Sequence, residues 1–216
     1  MLFSWQPAAF KALIIFNMGK QSQSDAVLLD AIKDGFGLDT DSQVASFLKI
    51  SAVTIHHVRH GRARLGIVQR LKVLDKIAFL NTRQWLERIT PDNLSSAIRD
   101  SSHKLARKAA SGCPSSSSDA SPDAVLLVLA KDLFGVRTDA ELAEHLGVAR
   151  NTISMVRTGR STLGPKPRLR ILHAISPFDI EKLENILDSS EALIDEIARA
   201  KSRRLDSETN PKDTLL

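Results

Sequence analysis

Two short runs hold most of the side chains that could recognise a ligand. One contains Arg150, Asn151, Thr152 and Met155, followed by Thr158 and Arg160. The other, at matching spacing, contains Ala52, Val53, Thr54 and His57, followed by His60, Arg62 and Arg64. Arginine offers parallel donors and asparagine a donor beside an acceptor, patterns suited to planar polar partners. Alanine, valine and methionine offer only apolar contact. His56 and His60 have the i, i+4 spacing of metal ligands, but Ser154 and Thr158 replace them in the second run and no third ligand is apparent. Phosphate contact or solvation is the expected role of these histidines. His103, His145 and His173 are isolated and read as structural or exposed. The single cysteine, Cys113, excludes an internal disulfide and a cysteine-built zinc site, and reads as an exposed linker thiol. No phosphate-binding glycine loop, metal set or nucleophile with a positioned base is present in the sequence. Neither an enzyme nor a cofactor is expected.

These runs sit in a duplicated chain. Asp25-Ala-Val-Leu-Leu29 recurs as Asp123-Ala-Val-Leu-Leu127, and the match continues without a gap to Leu74 and Leu172. About half of the aligned positions are identical, so two copies of a small domain are expected. Farther on, Asp100-Ser-Ser-His-Lys-Leu105 echoes Asp188-Ser-Ser-Glu-Ala-Leu193, with extra residues in the first copy around Asn81 to Thr90. The expected organisation is an apolar arm at 1–23, a first domain at 24–110, a Ser-rich linker at 111–122, a second domain at 123–206 and a disordered tail at 207–216. The arm is too short and broken for a membrane span, and translation from Met18 would remove most of it.

The pattern is helical throughout, without clean alternation. In the second copy a helix is expected from Pro122 to about Phe134, stopped by Gly135. Thr138-Asp-Ala-Glu141 is a capping box, as is Thr40-Asp-Ser-Gln43 in the first copy. The second helix should end near Leu146, before Gly147. A third should run from about Ala149 to Arg157, and a fourth from near Pro167 to Ile175. Ile55 with Val58, and Ile153 with Val156, mark the inner face of the third helix by their spacing of three.

The run from Thr138 to Arg160, and its counterpart from Thr40 to Arg62, resembles the lambda-repressor-like helix-turn-helix family of phage repressors and Cro. The resemblance implies an all-α protein of two tandem lambda-repressor-like helix-turn-helix domains, each followed by an additional C-terminal helix. It further implies that the outer residues of the third helix enter the major groove of double-stranded DNA. Arg150 would then pair with guanine and Asn151 with adenine, while Met155, Ala52 and Val53 would touch groups such as the thymine methyl. Thr40, Thr54, His57, His60, Arg62, Arg64, Thr138, Thr152, Thr158 and Arg160 complete the expected contact set. Lys49 departs from the pattern by replacing the turn glycine, at a cost of about 1 kcal/mol if its backbone is left-handed.

The formal charge is +5. Its distribution says more than its size. No acid occurs from Ser42 to Leu74 or from His145 to Phe178, the same register of both copies, yet twelve basic residues do. They are Lys49, Arg59, Arg62, Arg64, Arg70 and Lys72, then Arg150, Arg157, Arg160, Lys166, Arg168 and Arg170. Such segments suit a phosphate-facing surface. Helices are also expected from Thr90 to about Ala110 and from Ser176 to Arg204. The apolar stripe of the latter would pack on its own domain, or form an interface between the copies or in a homodimer. A transcriptional regulator, repressor-like and cytoplasmic on the nucleoid, is the leading expectation. The competing one is an antitoxin or other protein-interaction module that also binds DNA.

Overall fold

The computed structural model describes residues 25–106 and 121–209, and every regular element among them is helical. In chain order these are α1 (25–36), α2 (Asp41–Leu48), α3 (Ala52–Arg59), α4 (Ile67–Lys76), a 3-10 turn (Phe79–Asn81), α5 (Trp85–Arg88) and α6 (Pro91–Ala106). The second copy supplies α7 (Pro122–Phe134), α8 (Asp139–Leu146), α9 (Arg150–Arg157), α10 (Pro165–Ile175), α11 (Ile180–Asp188) and α12 (Ser190–Thr209). The expected arm at 1–23, Cys113 and most of the linker lie outside the described residues.

Local chemistry explains the boundaries. Thr40 and Thr138 cap α2 and α8 through complete capping boxes with Gln43 and Glu141. Gly135 and Gly147 end α7 and α8 in the left-handed conformation. At the position matching Gly147, Lys49 adopts φ 54° and ψ 51°, so the first copy carries the expected left-handed strain at a side-chain-bearing residue.

The long C-terminal helix expected from Ser176 is instead two helices. Asp179 accepts from Lys182 N–H at 2.9 Å and starts α11. Ser189 accepts from Ala192 N–H at 3.2 Å and starts α12. A serine that captures a free backbone donor competes with helix continuation, which breaks the run at that point. α12 then continues to Thr209, past the tail boundary expected at 206.

The compact units do not follow the linear division of the sequence. Among the described residues, unit 1 contains 25–83 with 185–209, and unit 2 contains 84–106 with 121–184. In unit 1, Leu28, Leu29, Val44, Leu48, Ile55 and Leu74 are completely or almost completely buried together with Leu193 and Ile197 of α12. In unit 2, α6 packs against α7 and α10, bringing Leu94 and Ile98 into the core with Leu126, Leu127 and Leu169. Trp85 is fully buried there, its ring edge-on to Phe178 at 5.1 Å. The sequence stripes could not show this, because an apolar face specifies that it must be covered and not by which copy.

Candidate functional site

The site in each unit is a short helix whose inner face is locked into the core. Ile153 and Val156 of α9 are fully buried, which turns Arg150, Asn151, Met155 and Thr158 outward and leaves Thr152 half-buried. Met155 remains 44% exposed. On α3, Ile55 and Val58 are buried in the same way. Ala52, Val53 and His60 are exposed, Thr54 and His57 are half-buried, and Val53 reaches 63% exposure.

Each helix ends in the same basic loop. Gly159 (φ 69°) and Gly61 (φ 67°) reverse the chain in a left-handed conformation that glycine adopts without steric cost. Arg160 N–H then donates to the Met155 carbonyl at 2.9 Å, and Arg62 N–H to the His57 carbonyl at 2.8 Å. Both arginine side chains are exposed, as is Arg64.

The helix starts differ. Ser51 caps α3, accepting from Thr54 N–H at 3.1 Å, and its hydroxyl lies 2.8 Å from that of Thr54. Ala149 stands at the start of α9, where no side chain caps the helix and no acid occupies the first turn. Arg150 sits at the positive end of that helix dipole, where a cation is disfavoured. The first turn of α9 therefore lacks the features that ordinarily stabilise a helix.

Several hydroxyls and rings among the expected contacts are already engaged. Thr40 and Thr138 accept from Gln43 and Glu141 N–H, each at 3.2 Å. Backbone bonds to Glu141 hold its carboxyl below the usual carboxylate range, first from Thr138 and then from Arg137. Thr158 donates to the Ser154 carbonyl at 3.0 Å. His60 Nδ1 lies 2.8 Å from the His56 carbonyl, and the two rings are 4.1 Å apart. Among the described residues no group of three or more histidine, cysteine, aspartate or glutamate side chains could hold a metal.

The acid-free segments are not acid-free in space, which narrows the basic surface expected from them. Arg59 binds Asp41 and also Asp30 at 2.9 Å, and these hydrogen bonds hold its guanidinium above the usual range. Arg157 meets Asp139, which Lys131 also contacts at 2.6 Å. Arg70 is buried against Asp25 at 2.6 Å, and burial pushes its pKa down. Arg168 repeats that contact with Asp123 at 2.9 Å. Arg170 binds Glu184 at 2.8 Å, and that hydrogen bond raises its pKa. Lys72 donates to the Leu48 carbonyl at 2.6 Å; burial, then Lys49, pushes its pKa down. Arg59, Arg70, Lys72, Arg157, Arg168 and Arg170 are thus engaged inside their own units. Lys49, Arg62, Arg150 and Arg160 are exposed, with no carboxylate partner among the described residues.

The acids that claim these cations were missed in the sequence. The signal was there, since Asp41 and Arg59 recur at the same separation as Asp139 and Arg157, and Asp25 and Arg70 as Asp123 and Arg168. A pair kept in both copies at a fixed spacing is a candidate contact. The chain matches no protein-family model, no curated protein and no solved structure. Among the described residues no helix is long and apolar enough to cross a membrane.

Proposed function

We propose that this chain is a sequence-specific regulator that binds duplex DNA through two lambda-repressor-like helix-turn-helix units, with α3 and α9 as recognition helices in adjacent major-groove segments. The observation that carries this reading is the outward face of α9. Arg150, Asn151 and Met155 are exposed there on a helix whose other face is fully buried. Arg160 follows at its end, exposed and with no carboxylate partner among the described residues. Arginine and asparagine supply the two bidentate patterns that distinguish guanine and adenine. Arg160, and Arg62 after α3, would meet backbone phosphates, which position a protein without reading sequence. α3 carries Ala52 and Val53 where α9 carries Arg150 and Asn151, so the first unit adds affinity and apolar contact while the second discriminates bases. Because the two faces differ, one chain is expected to prefer an asymmetric site.

The stripe that a homodimer through α12 would use is less open to a partner. Leu193, Ile197 and Ala200 are already buried, within unit 1.

The test is selection of bound sites from random duplexes, followed by gel-shift titration of the winner and of scrambled DNA. Arg150→Ala should reduce the preference for the winner by roughly tenfold or more, while Arg160→Ala should weaken both duplexes alike. Equal losses on both duplexes from both changes would remove the assignment of α9, and failure to enrich any site would remove the proposal.

A further inference from the structure

We infer that the chain is a fused pair of interdependent halves that exchange their C-terminal helices, so that residues 25–106 and 121–209 hold one another without needing the covalent connection between them.

Unit 1 shows one side of the exchange. Its first four helices come from the first half, and α12 comes from the second. Ser190 of α12 donates to Asp25 Oδ1 and accepts from Arg70 Nη2 at 2.8 Å, in a pocket closed to solvent. Asp25 Oδ2 accepts from Leu65 N–H at 2.9 Å, so this one carboxylate joins α1, α4, the loop before α4 and α12. A side chain on Gly35 would overlap Ile197, which shows how closely α12 approaches α1. At the outer end Arg204 lies 5.7 Å over the Phe36 ring and donates to the Lys76 carbonyl at 3.2 Å. Lys201 pairs with Asp34 at 2.7 Å.

Unit 2 shows the other side. There α6, from the first half, packs against α7 and α10 from the second, burying Leu94 and Ile98. The exchange runs in both directions, since α6 of the first half completes unit 2 and α12 of the second half completes unit 1. Each half therefore supplies a C-terminal helix to the unit built on the other, the pattern of a domain-swapped dimer. Here the two protomers are joined through 111–120.

The experiment uses the full chain with a protease site inserted between Ser115 and Ser116. The folded protein is cleaved, then passed through gel filtration under native conditions. The expected result is one peak at the mass of the uncut chain containing both fragments, with unchanged helical circular dichroism. Carbodiimide should then join the fragments by an amide between Lys201 Nζ and the Asp34 carboxylate. That cross-linked peptide should appear in the mass spectrum and disappear in Lys201→Gln. Fragments that elute separately while still helical would overturn the inference, as would co-elution without the Lys201–Asp34 peptide. Neither readout needs DNA, so a failure here is distinguishable from a failure of the proposed function.

Discussion

Arg59 closes on Asp41 through two hydrogen bonds, Nε to Oδ2 at 2.5 Å and Nη2 to Oδ1 at 2.7 Å. Arg157 meets Asp139 at the matching place in the second copy. In both, the last residue of the outward helix is tied to the first residue of the helix before it. Lys33 and Lys131 reach the same two carboxylates from α1 and α7, so three helices converge on one aspartate. This contact ties the end of α3 to the start of α2, and the end of α9 to the start of α8.

That clasp makes stability sensitive to acid. The Arg59 hydrogen bond holds the Asp41 carboxyl below its usual range. For Asp139 burial works in the opposite direction, but Lys131 and Arg157 outweigh it and its pKa is also lowered. A lowered folded-state pKa means that the pairs stabilise above about pH 4 and lose that contribution as pH falls through the lowered value. Because the pairs are partly exposed, each is worth about 1 kcal/mol or less. Asp41→Asn should lower the thermal midpoint by about 4 °C at pH 7, by the usual scaling for small domains. The difference from the parent should shrink as pH falls through the lowered value. A gap that stays constant with pH would contradict this account.

The buried pair should matter more than the clasp. Arg70 and Asp25 are both nearly solvent-free, and removing one partner strands the other charge. Arg70→Met is expected to cost about 3–5 kcal/mol in urea unfolding. Arg168→Met, at the more open matching pair, should cost less. The double change Asp25→Leu with Arg70→Met should recover only part of the loss, because it leaves no unpaired charge inside but takes the acceptor from Leu65 N–H and the Ser190 hydroxyl.

The matched turn residues predict effects of opposite sign. Lys49 holds φ 54° with a side chain and stands near Lys72, so Lys49→Gly should stabilise by about 1 kcal/mol. Gly147 has φ 63°, and a Cβ there would overlap the Arg170 guanidinium that binds Glu184. Gly147→Ala should therefore destabilise by about 1–2 kcal/mol through the left-handed backbone and the displaced ion pair. Urea midpoints of the two variants, measured against the parent, check the pair of signs.

If α9 reads bases as proposed, its specificity should be transferable. Ala52→Arg with Val53→Asn places the second copy's exposed pair on α3. Each bidentate contact is worth about 1–3 kcal/mol of discrimination. Site selection with this variant should enrich a guanine or adenine at positions the parent leaves unspecified. An unchanged selected site would count against α3 as a reading helix.

Much of the local structure was legible. The two capping boxes, the glycine stops and the spacing of Ile153 with Val156 lead to helix ends that the structure reproduces for α7, α8 and α9. α10 begins at Pro165, slightly ahead of the expected start, with that proline at the first helical position, where its fixed φ suits a helix start. The region around Asn81 to Thr90 was not legible. Ala78, Leu80, Asn81 and Gln84 all take positive φ there, conformations that these side chains do not favour on their own and that surrounding contacts must impose. The outward placement of Arg150, Asn151 and Met155 followed from inner-face spacing alone. Which cations remain available did not, since Arg59, Arg70, Arg157, Arg168 and Arg170 each find a carboxylate outside their own acid-free run.

By itself the sequence determined the duplication, the helical character, the starts and stops of most helices and the face that each short outward helix turns to solvent. All of these depend on interactions within a few residues, or on a repeat visible in one dimension. The tertiary structure alone decided which charges are spent inside, and that α12 completes unit 1 while α6 completes unit 2. An apolar stripe or an arginine carries no label for its partner. Only the three-dimensional packing of both halves assigns one.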